Sequence, residues 1–299
     1  MEVLVTGASG FIGRAVAAAL ADAGHRVVAV SRDPESARRV LPPGCVCIGW
    51  DGRTLPALPT LPDAVLHLAG AGIADRRWTK AVKAEILRSR AETGRQIIRS
   101  LAEQGKKPAV AITASAIGIY PESTGADLTE ESAAGGDFLA GVCRAWEEPW
   151  LEWREGRVLV LRLGVVLGPD GGALARMLPL FRAGLGGRLG HGRQWMSWIH
   201  RDDVCRIILQ ALEDERYRGI VNAVAPGAVT NREFTRLLAA RLRRPALLPV
   251  PAAALRLVLG EMATAVLADQ HVVPARLQDY GFAFQYGDLQ EALQDLLPG

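Results

Sequence analysis

The chain has 299 residues, 49% hydrophobic and 22% charged, which excludes a disordered chain and allows one large α/β domain or a domain with a substantial subdomain. Lys and Arg number 35 against 32 Asp and Glu, a formal net charge of +3; so small a surplus gives no support for nucleic-acid binding, and the Arg241, Arg243, Arg244 cluster reads as a solvated helix end. The four cysteines, Cys45, Cys47, Cys143 and Cys205, form no CxxC pair, so buried reduced thiols in a cytoplasmic protein are expected, without metal.

In chain order, residues 3–6 read as a strand, 11–23 as an amphipathic helix ended by Gly24, 27–30 as a second strand, 45–49 as a third and 64–68 as a fourth. A long helix is expected over about 79–104, a strand over 109–114, a helix near 138–153 and a strand over 158–163. Strand–helix units with continuous apolar strands imply a parallel sheet covered on both faces. After Gly164 the chain becomes rich in Gly and Leu through 168–193, with a short helix; "SWIHRDDV" opens another helix and "IVNAVAP" returns a strand to the sheet. Residues 230–299 read as mostly helical, and the apolar stretch 249–268 is interrupted by Arg256 and Glu261, too broken to span a membrane. No secretory leader is expected ahead of Glu2.

The first strand runs into "TGASGFIG", with glycines at 7, 10 and 13. Glycine permits a sharp turn and close approach of phosphate oxygens, and the N-terminus of the following helix offers unpaired N–H groups and a positive dipole end to a diphosphate. Gly13 lets the helix pack closely on the strand. Strand, glycine turn, helix and second strand in that order predict a doubly wound dinucleotide-binding fold. The second strand ends Ser31-Arg32-Asp33. An acid there suits the ribose 2′-hydroxyl of NAD, whereas an Arg pairs with the 2′-phosphate of NADP. Arg32 and Ser31 favour NADP(H) over NAD, with Asp33 the complication. The small residues of "HLAGAGI" (67–73) leave room beside the cofactor at the sheet's carboxyl edge.

These segments, with RRW (76–78), EILRSR (85–90), GGDFLAGVCRAWE (136–147), LRLGVVLGPDGGAL (161–174), GRQWMSWIHRDD (192–203), VNAVAP (221–226), NREF (231–234), LGEMA (259–263) and GFAFQY (281–286), resemble the extended short-chain dehydrogenase/reductase superfamily, the NAD-dependent epimerase/dehydratase group. The likeness is nearest to its atypical YfcH-like branch, which carries a small C-terminal domain of unknown function. The resemblance implies a Rossmann-type, NADP-binding domain over 1–166, with 200–226 returning to its sheet, and a smaller, mostly helical substrate-type unit over 167–199 and 227–299. The cofactor set expected is Thr6, Gly7, Ser9, Gly10, Phe11, Ile12, Gly13, Ser31, Arg32, Leu68, Ala69, Gly70, Glu85, Arg90, Thr113 and Arg162.

Active members of the superfamily use a Tyr-x-x-x-Lys pair, in which Lys lowers the Tyr pKa so that the phenol exchanges a proton as hydride moves. Here the corresponding helix begins Phe138-Leu139-Ala140-Gly141-Val142-Cys143, and both Tyr and Lys are missing in either register. Ser115 and Tyr120 remain as catalytic candidates, and Gln194, Trp195, Trp198 and His200 as substrate candidates, although His200 reads first as a structural histidine and the two tryptophans read equally as core of the small domain. No Ser-His-Asp arrangement or metal-ligand spacing is visible. Two functions follow: an NADP(H)-dependent oxidoreductase or epimerase-like enzyme with a non-standard active site and a small-molecule substrate, or a catalytically silent NADP(H)-binding, redox-sensing protein. The superfamily's habits add a homodimer, with neither nucleic acid nor membrane as partner.

Overall fold

The computed structural model describes residues 1–297 other than Pro59 and Thr124. Its first half alternates β1 (Glu2–Thr6), α1 (Phe11–Asp22), β2 (Arg26–Ser31), α2 (Pro34–Val40), β3 (Val46–Gly49), β4 (Ala64–His67), α3 (Lys80–Glu103), β5 (Val110–Ala116), α4 (Phe138–Leu151) and β6 (Arg157–Leu163). There follow β7 (Val165–Gly168), α5 (Gly172–Arg182), β8 (Trp195–Met196), β9 (Trp198–His200), α6 (Arg201–Glu213), β10 (Gly219–Ala223) and β11 (Val229–Thr230). The chain ends in α7 (Asn231–Leu242), α8 (Ala252–Leu259), α9 (Ala263–Leu267), α10 (Ala275–Asp279) and α11 (Leu289–Leu296).

Seven strands form one parallel sheet in the order β10-β6-β5-β4-β1-β2-β3. Alternate residues of each strand enter different cores. Val3, Val5, Ala29, Leu66 and Ile112 meet α1 and α6 on one face, through Val16, Leu20, Ile207 and Ile208. Leu4, Val28, Val30, Val65 and Ala111 meet Ile97 and Leu101 of α3 and Trp150 of α4 on the other. Burial on both faces is why these strands are apolar at every position. The order in which successive strands are added reverses between β1 and β4, the switch point at whose carboxyl end α/β proteins bind ligands.

Beside the sheet a separate core gathers Leu167, Leu174, Leu178, Phe181, Trp198, Phe234, Leu238, Leu289, Leu293 and Leu296. It is flanked by two-stranded ladders, β7 with β9 and β8 with β11, too short to register as strands in the sequence pattern. The late segment does not all stay with that core: Leu277 and Phe282 are buried in the main core against the sheet. Among the described residues no helix is long and apolar enough to cross a membrane.

Candidate functional site

Gly7 leaves β1 with φ +71, and a Cβ there would lie 2.8 Å from the Leu68 carbonyl and the Ala69 nitrogen. Only glycine lets the ends of β1 and β4 close to this distance. A Cβ on Gly13 would fall 2.1 Å from the Gly7 oxygen, so its absence lets α1 start directly against the turn. Gly10 caps α1 in an extended conformation; among the described residues no side chain caps the helix, and its first turn carries no acid. The leading amides of an α-helix have no partner within the helix, so Phe11, Ile12 and Gly13 leave a donor-rich, positive end beside exposed Ser9.

Thr6 lies beneath this turn rather than in it. It is buried, its hydroxyl accepts from the Ala69 N–H at 3.3 Å, and it lies 2.8 Å from His67 Nδ1. His67 is fully buried against Trp150, with ring centroids 5.5 Å apart, and burial pushes its pKa down to about 3. A neutral imidazole hydrogen-bonded to the Thr6 hydroxyl ties the ends of β1 and β4 together. Leu68 and Ala69 follow at that edge, half-buried.

At the end of β2 the Asp33 complication resolves. Asp33 caps α2: one carboxylate oxygen accepts the Ser36 N–H at 3.0 Å and the other the Ser36 hydroxyl at 2.7 Å. Those bonds hold its pKa below the ordinary carboxylate value. Ser31 Oγ is folded onto Asp33, donating to its carbonyl at 3.1 Å. Arg32 is exposed and enters no ion pair among the described residues. The acid is committed to the helix, and the cation is the free charge at the tip of the strand.

On α3, the Arg90 guanidinium lies 3.1 Å from where a Gly70 Cβ would stand, 4.9 Å from the Trp146 ring centroid, and donates to the Ile86 carbonyl at 3.2 Å. Burial lowers its pKa. Among the described residues it meets no carboxylate, so a half-buried cation stands at the carboxyl edge. Glu85 instead pairs with Arg76. The loop between β4 and α3 is held from the far side by Arg176 of α5, which donates to the Ala74 carbonyl and to Asp75.

The remaining candidates at the sheet edge converge on one buried network. Ser115 Oγ donates to Glu147 Oε1 at 2.6 Å. Arg162 grips both Glu147 oxygens at 2.9 Å and donates to Tyr120 Oη at 2.9 Å. Tyr120 donates in turn to Asn222 at 2.7 Å, and the Asn222 N–H meets Glu130 at 2.9 Å. Burial works against the Arg162 charge, but Glu147 and Tyr120 more than offset it and its pKa is raised; burial also raises Tyr120. Thr113 is buried and donates to the Ala114 carbonyl at 3.2 Å. Ser115 and Tyr120, the groups expected to be catalytic, both have their hydroxyls engaged inside the protein, and Tyr120 is walled in by Ile117, Ile119, Leu128 and Val272. Arg162 likewise is engaged by Glu147 and Tyr120. Cys143, where the helix lacks its Lys in one register, is a buried thiol pushed up to about 11, first by burial and then by Glu147. Glu147, Asn222 and Glu130 went unnoticed in the sequence. An Arg inside "VLVLRL" was the available signal, since a charge on a buried strand demands a partner.

Three of the four substrate candidates are buried and hydrogen-bonded within the protein. Trp198 is fully buried and donates to the Gly227 carbonyl at 2.7 Å. Gln194 is buried and donates to the Leu189 carbonyl at 3.0 Å. His200 caps α6, its Nδ1 accepting the Asp202 N–H at 3.0 Å, with Nε2 3.2 Å from Asp295 and its ring stacked on Tyr286 at 3.9 Å. Trp195 differs: it is 37% exposed and tilts over His271 at 4.2 Å, and His271 Nδ1 lies 2.6 Å from Asp127.

A parallel sheet in this order, with a glycine turn and an uncapped helix at its switch point, defines a Rossmann-type protein of the short-chain dehydrogenase/reductase kind. The chain belongs to the NAD dependent epimerase/dehydratase family, whose profile matches residues 3–223; a domain of unknown function, DUF1731, matches residues 250–296. Over 309 residues it is 40% identical to the chloroplastic epimerase family protein SDR39U1 homolog of Arabidopsis thaliana, covering 99% of this chain and 87% of that protein. The crystal structure of human epimerase family protein SDR39U1 (isoform 2) with NADPH superimposes with a TM-score of 0.91 at 36% identity, covering 99% of both chains. A nucleoside-diphosphate sugar epimerase from Corynebacterium glutamicum superimposes with a TM-score of 0.77 at 33% identity, covering 99% of this chain and 58% of that one. The family resemblance and fold class read from the sequence are both borne out.

Proposed function

We propose that this chain binds NADP(H) across the carboxyl ends of β1, β2 and β4, and that it lacks the Tyr/Lys-assisted proton relay of its superfamily. The observation that carries the cofactor reading is the pairing of a committed Asp33 with a free Arg32: the 2′-phosphate would meet a cation and no competing carboxylate. The diphosphate would lie on the amides of Phe11, Ile12 and Gly13, and Arg90 adds positive charge beneath Gly70. The human relative crystallised with NADPH supports the same choice. When bound, the nicotinamide supplies a hydride donor or acceptor. The chain's own contribution is binding and orientation.

On the α4 side, a buried thiol and two committed hydroxyls stand where a proton donor is needed. That favours a protein that holds the nucleotide and responds to its redox state. One observation favours turnover instead: the His271–Asp127 pair beside exposed Trp195 forms an acid/base group outside α4, and an oxidoreductase or epimerase-like reaction on a small molecule would then use it. The four unpaired thiols support a reducing compartment such as the cytoplasm.

Titration followed by Trp fluorescence tests the reading. NADPH should bind at least about tenfold more tightly than NADH, and Arg32→Glu should abolish that preference; an unchanged ratio refutes the assignment of Arg32. A screen of carbonyl compounds and nucleotide sugars at the nicotinamide absorbance, repeated with His271→Ala, separates turnover from holding.

A further inference from the structure

Phe11 opens α1, and its ring is seated in a hairpin more than 150 residues away in the chain. Gly168 pairs with Gly171 and Leu167 with Gly172 across the two-residue turn Pro169-Asp170. A Cβ on Gly168 would lie 2.6 Å from Phe11 Cε2, one on Gly171 2.3 Å from Cδ2, and one on Gly172 2.8 Å from Cε1. Both long edges of the ring thus press on positions that admit nothing larger than glycine. The Arg201 guanidinium covers the ring at 5.4 Å. At the hairpin tip Asp170 accepts from Arg201 and, at 3.3 Å, from Arg14, which lies one turn after Phe11 on the same face of α1. The helix that leaves the hairpin, α5, sends Arg176 to the Ala74 carbonyl and Asp75. One segment therefore holds both the turn after β1 and the loop after β4.

We propose that the 168–172 hairpin is a positioning element for the cofactor diphosphate: by fixing the Phe11 ring it fixes the direction of the first-turn amides of α1. This rests on the NADP(H) reading and deepens it. Phe11 acts through its backbone, and its side chain serves the hairpin rather than the ligand. A shift of the ring rotates the start of α1 and misaims the donors, while the 2′-phosphate end at Arg32 is untouched.

The test is NADPH and NADH titration of the full chain, with thermal unfolding of the nucleotide-free protein alongside, for Gly171→Ala, Phe11→Ala, the double variant, and Gly136→Ala as a control whose added Cβ meets nothing within 4 Å. Gly171→Ala should weaken NADPH at least about tenfold through overpacking and leave the NADPH/NADH ratio unchanged. The double variant should bind no worse than Phe11→Ala, because the clash is with the ring. The inference is overturned if Gly171→Ala melts lower yet binds with the wild-type Kd, as a purely structural role requires, or if the two effects multiply in the double variant. Phe11→Ala creates no clash and keeps the test open should Gly171→Ala not fold; a wild-type Kd for it also overturns the inference. A wild-type chain that binds neither nucleotide sinks the cofactor reading itself, a distinguishable result.

Discussion

Replacing Glu147 with Gln asks whether the buried network holds the fold or does chemistry. Its carboxylate accepts from Ser115 at 2.6 Å and from two Arg162 nitrogens at 2.9 Å, and the Glu147 and Arg162 side chains are 4% and 7% exposed. Gln keeps the shape, removes the negative charge and turns one acceptor into a donor aimed at a guanidinium. Stranding one member of a buried pair costs about 3–5 kcal/mol, a large share of the roughly 5–15 kcal/mol by which domains are stable. The variant should therefore unfold in urea about 3 kcal/mol more easily, while its folded fraction keeps the wild-type NADPH affinity. Converting the pair together, Glu147→Leu with Arg162→Met, should recover up to about 2 kcal/mol of the loss. What remains is about 1–3 kcal/mol for the stranded Ser115 hydroxyl, since Tyr120 keeps Asn222. Urea unfolding followed by Trp fluorescence at pH 7, without nucleotide, reads the first quantity and NADPH titration the second. If Glu147→Gln unfolds like the wild type but loses NADPH binding or turnover, the network is functional and the structural reading of Ser115, Tyr120 and Arg162 is wrong.

His67 predicts a pH dependence. Burial holds its folded pKa at about 3 against an ordinary value of 6.5, so below pH 6.5 the unfolded chain takes up a proton that the folded chain refuses, and stability falls with pH until about pH 3. Between pH 7 and pH 5 this amounts to about 2 kcal/mol, and the stability difference between wild type and His67→Gln should change by that much in paired urea titrations; a constant difference refutes it. Gly13→Ala places a Cβ 2.1 Å from the Gly7 oxygen. It should destabilise the chain by about 1–3 kcal/mol and weaken NADPH as α1 is pushed off the turn; tight binding in calorimetry would show that the turn tolerates the displacement.

The dinucleotide-binding half was legible because its determinants are local. Continuous apolar runs mark strands buried on both faces, and the spacing of Gly7, Gly10 and Gly13 fixes strand, turn and helix within a dozen residues. The Asp33 ambiguity was also local: Asp33-Pro34 followed by Ser36 is a helix start, with the acid at the cap and Pro at the first helical position. Read so, it withdraws the acid from the ribose and leaves Arg32. Trp195 and Trp198 show the opposite case. They stand three residues apart in a glycine-rich stretch, yet one is 37% exposed and the other 0%, because β8 and β9 pair with different partners, β11 and β7. Neither ladder is long enough to impose a pattern on the sequence. The Glu147–Arg162 network joins five separate segments, and no spacing encodes that. What the sequence does encode is a demand: Arg162 in an apolar strand needs a buried acceptor, and Glu147 lies on a helix side otherwise carrying Ala140, Cys143 and Trp150. Each is implausible alone and sensible only opposite the other. The same reasoning applies to Phe11 and the glycines at 168, 171 and 172. An exposed Phe at the start of a helix would waste apolar surface, and a hairpin of glycines would waste chain entropy, unless one were the socket of the other.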